Sequence, residues 1–259
     1  MRDAVIRSAR ESDAGDISLA WSLSFGDEES FIRSLLLGCG LISTTVVAEL
    51  DGHVRSAMTA FDGLMLGGVR ASYLYALCTH PEFRSLGLGA SVAAASVKRS
   101  LERGSGLACL HAASPSLQKW YESLCGMTPL SFTKSSLHSA EPFSGSLHRL
   151  APEEYMPHAP GGMTAQLLRA QELCFSPGGG FFAIEDGRER AFFCADVRLG
   201  RLCILHCSRP EYIGRAASAL GFGSAEALSP ASGGSCSLLC ASRSGCKPSG
   251  VIFFPFILD

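Results

Sequence analysis

Charge of either sign is scarce in this 259-residue sequence: charged side chains make up 18% of it, and 22 Lys and Arg against 24 Asp and Glu leave a net charge of −2. There is no global field for holding nucleic acid or an anionic membrane, so neither is expected as a partner. Long apolar runs are missing too. Met1 to Arg7 alternates charge with apolar residues and offers nothing a signal peptide could use, so a cytoplasmic location is expected. The longest late run, Val251 to Leu258, is too short to cross a bilayer and is interrupted by Pro255; it reads as a buried strand or a C-terminal plug. Cysteine is plentiful at 11 residues, but the count is odd and no export signal accompanies it, so free thiols are expected. Cys203, His206, Cys207, Cys236, Cys240 and Cys246 include no C-x2-C pair, and no metal is assigned to them.

Apolar material is abundant. Hydrophobic residues reach 47%, enough for a core and too many for a disordered chain. The length suits two smaller units, and Pro142, Pro152, Pro157 and Pro160 mark a connection in a stretch, Ser131 to Gly162, without long periodicity. The expected division is 1–140 and 141–259. In the first part a strand (Ala4 to Ala9) precedes two helices, the first capped by Ser12, the second spanning Glu28 to Leu37. A hairpin follows at Asp51-Gly52, and another is suggested by Asp62-Gly63 and Gly67-Gly68. It leads into the apolar run Ala71 to Thr79. A helix from Gly89 to about Arg103, a strand from Leu107 to His111 and a helix from Pro115 to Leu124 complete this part. Beyond residue 140, Thr164 to Leu173 reads as a helix, Phe181 to Glu185 and Arg190 to Val197 as a hairpin, Arg201 to Cys207 as a strand and Glu211 to Leu220 as a short helix. One more apolar segment, Ser237 to Ala241, precedes the final run.

The stretch that carries chemistry runs from Tyr75 through Thr79-His80-Pro81-Glu82-Phe83-Arg84 to Gly87-Leu88-Gly89-Ala90. It is a strand, a glycine-bearing turn and a helix start. The helix N-terminus offers unpaired N–H groups and the positive end of a dipole, and glycine admits an anion close to the main chain, which together make a pyrophosphate cradle. No G-K-[ST] follows, and Val92 stands where a dinucleotide fingerprint needs a third small residue, so neither nucleotide motif is met.

Arg84, Gly87 and Gly89, behind Thr79-His80-Pro81-Glu82-Phe83, resemble the acetyl-CoA signature of the GCN5-related N-acetyltransferases (Arg or Gln, two residues, Gly, one residue, Gly or Ala). The resemblance covers about the first 130 residues. It implies an α/β (α+β) fold, a mixed and mostly antiparallel sheet flanked by helices. The Pro-Glu-Phe-Arg stretch, the Gly-Gly hairpin and the length of the C-terminal part are similar to the enhanced-intracellular-survival branch, which implies a second, degenerate α/β layer over 141–259. Main-chain groups of Leu77, Cys78 and Thr79 would then hold the pantetheine arm. Arg84, Ser85, Leu86, Gly87, Leu88, Gly89 and Ala90 would wrap the pyrophosphate. Ser114, seven residues ahead of Tyr121, stands where the family often has Asn.

Acetyl-CoA is the expected cosubstrate and a small-molecule primary amine the expected acceptor, acetylated by direct attack in a ternary complex. The family role of Tyr121 is general acid for the departing thiolate, with the alternative of a core tyrosine; a backbone N–H near Cys78 would polarise the carbonyl. Glu49 and His111 end strands and are the candidate bases, against the plainer readings of a surface carboxylate and a satisfied core histidine. His80 reads as structural. An acetyl-Cys78 route lacks a matched histidine. In the related branch the chain's end enters the active site, which makes the Asp259 carboxylates a further base candidate. A homodimer is a further expectation, and a CoA-binding regulatory protein without turnover is the alternative to the enzyme.

Overall fold

The computed structural model describes residues 4–160, 162–231, 236–250 and 252–255. Its contacts divide the chain after Leu130, earlier than the expected boundary near 140. Residues up to Leu130 and Leu238–Ser249 form one unit, Ser131–Ser237 and the stretch from Gly250 the other.

The first unit opens with β1 (Val5–Ser8), which pairs antiparallel with β2 (Val46–Leu50). Between them lies α1 (Ala14–Phe25), which buries Ile17, Ala20 and Trp21 and stops at Gly26. The expected Ser12 cap is absent; the Asp13 carboxylate instead accepts the Arg10 N–H at 2.7 Å. The second helix has the expected extent but changes winding: α2 (Glu29–Arg33) widens into a π turn over Ser34–Gly38. β2 turns into β3 (His53–Leu66) through Asp51 and Gly52, both at positive φ, the tight primed turn that strand twist favours. Gly67 and Gly68 make the same kind of turn into β4 (Val69–Thr79). Asp62-Gly63 is no turn: it lies inside β3 at a register shift between Phe61 and Leu64. α3 (Leu88–Glu102), β5 (Leu107–His111) and α4 (Pro115–Cys125) follow.

Alternation along β4 decides what covers each face. Leu74 points to the side where Val92, Ala93 and Val97 of α3 and Tyr121 of α4 join Met58, Ala60 and Leu110 in one core. Tyr75 points the other way, its ring centroid 5.5 Å from that of Trp21 in α1.

The second unit holds β6 (Thr128–Ser139), β7 (Ser146–Leu150), α5 (Pro152–Tyr155), α6 (Ala165–Cys174), β8 (Gly180–Asp186), β9 (Glu189–Arg198), β10 (Arg201–Cys207), α7 (Ile213–Ala219) and β11 (Ser224–Ala231). The order is β6-β11-β10-β9-β8-β7, antiparallel except for the parallel pair of β10 and β11 joined through α7. Phe182, Ile184, Phe193, Leu202, Ile204 and Ala216 form its core. The stretch Ser131 to Gly162 therefore contains two strands where an irregular connection was expected. Thr133 is the one residue of β6 that is buried, so no alternating apolar pattern announces it. β12 (Cys236–Ser242) returns the chain to the first unit, where Leu238–Ser242 pairs antiparallel with β5. Of the final run, Ile252 and Phe254 are buried but lie in no strand; residues 251 and 256–258, and Asp259 with its carboxylates, lie outside the described residues.

Candidate functional site

All elements of the site belong to the first unit. β4 and β5 run parallel and pair from Ala71 with Leu107 to Tyr73 with Cys109; past that point no pairing joins them, although β4 continues to Thr79 and β5 to His111. The cause lies in β4. Tyr75 faces Thr59 and Cys78 faces Ala57, so two residues, Ala76 and Leu77, stand opposite Met58 alone. Ala76 has φ +53°, a left-handed conformation that a side chain rarely adopts. The bulge turns the end of β4 away from β5. It sits immediately before Cys78.

Where the splayed strand ends, Pro81–Phe83 makes one 3-10 turn, and the chain enters α3 through Ser85 (φ +65°) and Gly87 (φ +79°). Both reversals turn the loop back on itself, and the first N–H groups of α3, on Leu88, Gly89 and Ala90, have no partner within the helix. No acidic side chain occupies that first turn. A cavity of about 390 Å³ lies over it, lined by Thr79, Phe83, Arg84, Ser85, Gly87, Leu88, Gly89, Ala90 and Trp120. A Cβ on Gly89 would stand 3.1 Å from Thr79 Oγ1, so helix and strand end approach as closely as glycine allows. The shape and the donors fit an anionic pyrophosphate.

Second-layer bonds hold the strand end in place. Ser56, fully buried on β3, donates its hydroxyl to the Cys78 carbonyl at 2.7 Å and lies 2.9 Å from Thr79 Oγ1. Arg84 Nε donates to the Thr79 carbonyl at 3.2 Å, and its Nη2 to Ser24 Oγ at 3.4 Å. Arg55 lies over the Phe83 ring at 4.2 Å, while the His80 N–H donates to the Arg55 carbonyl at 2.8 Å. The main chain at His80 thus fastens the turn to β3, and the His80 ring stands edge-on to Phe83 with centroids 5.5 Å apart.

The remaining expected residues are placed less uniformly. Leu77 and Cys78 lie on the splayed strand and Leu86 is an exposed turn residue; none of the three lines the cavity. The Cys78 thiol is buried and pushed up to about 12 by desolvation, which leaves it protonated and a poor nucleophile. Ser114 uses its hydroxyl to cap α4, accepting the Leu117 N–H at 3.2 Å. Tyr121 is buried in the α3 and α4 core, and desolvation, with a smaller contribution from Cys125, raises its phenol. Its ring stands edge-on to Trp120 with centroids 4.8 Å apart. Trp120, one residue away, is the α4 side chain that reaches the cavity.

Glu49 is bound to Arg7 Nε at 2.7 Å, and the same guanidinium grips Asp13 at 2.6 Å; this carboxylate stitches β2 to β1, two strands from β4. His111 ends β5 on the far side of the splay, 3.3 Å from Tyr73 Oη through Nδ1, and burial lowers its pKa to about 4. Among the described residues no group of three His, Cys, Asp or Glu comes together to hold a metal ion. No helix among them is long and apolar enough to cross a membrane.

The second unit carries a worn copy of the motif. Cys78-Thr79-His80-Pro81-Glu82-Phe83 is matched by Cys207-Ser208-Arg209-Pro210-Glu211-Tyr212, again a strand end followed by a 3-10 turn. There α7 begins at once, with no glycine turn. Glu141 packs against its first residues: a Cβ on Gly214 would stand 2.7 Å from Glu141 Cγ.

No protein-family model matches the sequence, and no curated protein matches it. Solved structures do match in shape. A GCN5-related N-acetyltransferase from Anabaena variabilis superposes with a TM-score of 0.67 at 11% identity, over 92% of this chain and 72% of that one. Eis1 from Mycobacterium abscessus gives 0.62 at 12%, over 91% and 73%. A GCN5-related N-acetyltransferase from Sphaerobacter thermophilus gives 0.53 at 15%, over 92% and 95%. The chain has the fold of the GCN5-related N-acetyltransferases along nearly its whole length.

Proposed function

We propose that this protein is an acetyl-CoA-dependent N-acetyltransferase that acetylates a primary amine of a small molecule by direct attack in a ternary complex. The observation that carries the reading is the pairing of an anion cradle at the start of α3 with a strand bulged at Ala76 and Leu77, whose end is no longer paired with β5 beside that cradle. Bound acetyl-CoA supplies a thioester carbon open to an amine and a thiolate able to leave. The N–H groups of Leu88, Gly89 and Ala90 and the Arg84 guanidinium hold the pyrophosphate. Main-chain groups of Leu77, Cys78 and Thr79 line up the pantetheine arm, and the bulge frees an N–H near Cys78 to polarise the carbonyl. Tyr121, kept protonated by burial, gives its proton to the departing sulfur. Of the two base candidates among the described residues, His111 is kept neutral by burial and so able to accept a proton, whereas Glu49 is engaged by Arg7.

A second reading, binding without turnover, draws on Ser114, whose hydroxyl is taken up by its own helix.

Calorimetric titration of acetyl-CoA into the wild type and into Ala90→Glu tests the cradle. A carboxylate in the first turn of α3 suits the helix dipole, so the variant should fold, yet it opposes a bound pyrophosphate. Micromolar binding that weakens by more than about tenfold is expected. A wild type that binds no acetyl-CoA overturns the proposal. Binding with no acetyl transfer to a panel of small amines favours the second reading.

A further inference from the structure

Cys109 on β5 and Cys240 on β12 are direct cross-strand partners. Their place in the ladder follows from one hydrogen bond. Arg243 N donates to the Gly106 carbonyl at 2.9 Å, while the Gly106 N–H goes to the Arg70 carbonyl; the Arg243 bond flanks Leu107 and Ser242 and marks them as a non-hydrogen-bonded pair. Pairs alternate along an antiparallel ladder, which makes 109 and 240 a non-hydrogen-bonded pair. In such pairs the Cα atoms approach to about 4.5 Å and the side chains lie closer together than at the neighbouring rungs, within the span that a disulfide bridges. Both residues are buried, Cys109 fully and Cys240 with 6% exposure.

We propose that Cys109 and Cys240 are a redox-active pair that closes, under a peroxide, into a disulfide stapling β12 to β5. The reaction balances with hydrogen peroxide as oxidant. The Cys240 thiolate attacks the peroxide, an S–O bond forms as the O–O bond breaks, and the hydroxide released takes up a proton. Cys109 then attacks the Cys240 sulfur; the S–S bond forms, the S–O bond breaks, and the oxygen leaves as water with the Cys109 proton. Two thiols and one peroxide give one disulfide and two waters, and a dithiol reductant reverses the change. Cys240 is the attacking sulfur because it is the one of the two that keeps some exposure, 6% against none for Cys109, and its thiol is held down by its cysteine neighbour and the Thr128 hydroxyl. The other buried thiols, Cys78 and Cys194, have no such donor and are pushed upward by desolvation.

The bond would close a loop that contains all of Ser131–Ser237, and it would fix the returning strand β12 beside the site where β4 and β5 part. Cys109 shares a face of β5 with His111.

The test is non-reducing peptide mapping of the native full-length protein after mild hydrogen peroxide, with thiols blocked before digestion. A cross-linked peptide joining Cys109 to Cys240, about 2 Da below the sum of the two thiol peptides and lost on adding dithiothreitol, is the expected result. The oxidised protein should also melt several degrees higher, about 5 °C or more, since closing so long a loop restricts the unfolded chain. Cys240→Ser should abolish the link while leaving the thermal midpoint of reduced protein near that of reduced wild type. The proposal is overturned if these two thiols are blocked as readily after peroxide as before it, or if either is found joined to a different cysteine. Acetyl-CoA binding plays no part in the readout, so the outcome is independent of the proposed function.

Discussion

Replacing His111 with Gln should flatten the acid side of the first unit's stability profile. Burial lowers the His111 pKa from 6.5 to about 4, while in the unfolded chain the ring titrates normally. Above 6.5 the imidazole is neutral in both states, and the folded state keeps its full stability. As pH falls from 6.5 toward 4 the unfolded chain binds a proton that the folded chain refuses, so stability is lost across that window and the loss levels off below it. At pH 5 this difference in proton affinity shifts the folding equilibrium by a factor of about 30, a loss of about 2 kcal/mol. Urea unfolding followed by tryptophan fluorescence suits the measurement, because Trp21 and Trp120 are the only tryptophans and both lie in the first unit. His206 in the second unit, which burial also lowers to about 4 and which contacts Tyr155 Oη at 2.6 Å, is the same in both proteins and drops out of the difference between them. The wild type should lose about 2 kcal/mol more than His111→Gln between pH 7 and pH 5. Parallel pH profiles for the two proteins would refute the argument, since they would mean the ring accepts its proton as easily folded as unfolded.

Two further substitutions separate chemistry from architecture. Tyr121→Phe removes a buried phenol but leaves the ring that packs against α3, so kcat for acetyl transfer should fall by about 100-fold while acetyl-CoA affinity stays within about twofold; an unchanged kcat excludes the general-acid role. In Gly145→Ala the new methyl would fall on the Glu185 carbonyl, where β7 begins its pairing with β8 through Ser146 and Glu185. The second unit should lose about 2–3 kcal/mol, read as faster hydrogen exchange in β7 and β8, and an unchanged exchange rate would show that the strands shift to accept the methyl.

What the sequence makes legible is chemistry that is complete within a few residues. The Asp51-Gly52 turn, the start of α3 at Gly87 and the strand from Leu107 each follow from local residue types, and each is found within a residue or so of its expected place. Strands whose partners supply the reason for their existence are not legible in this way. β6 presents mostly exposed polar side chains, and its pairing from Ser139 with Ser224 to Phe132 with Ala231 depends on residues some ninety positions later. Nor does helical periodicity announce that Trp120, beside the candidate acid Tyr121, lines the cavity over the start of α3. The two copies of the Pro-Glu-aromatic turn carry this further. Both follow a strand and lead into a helix, and both aromatics lie beneath arginine, Phe83 under Arg55 and Tyr212 under Arg209 and Arg215. Only the first inserts Ser85 and Gly87 at positive φ before its helix. In the second, the helix follows directly and Glu141 lies against its opening residues, with the Glu141 N–H bonded to the Gly214 carbonyl at 3.0 Å. The topology is the same in both, so the strand, turn and helix alone do not make an anion site. What the first copy adds, and what the proposed cradle rests on, is the extra residues that turn the main chain back on itself and a first turn of α3 without a carboxylate.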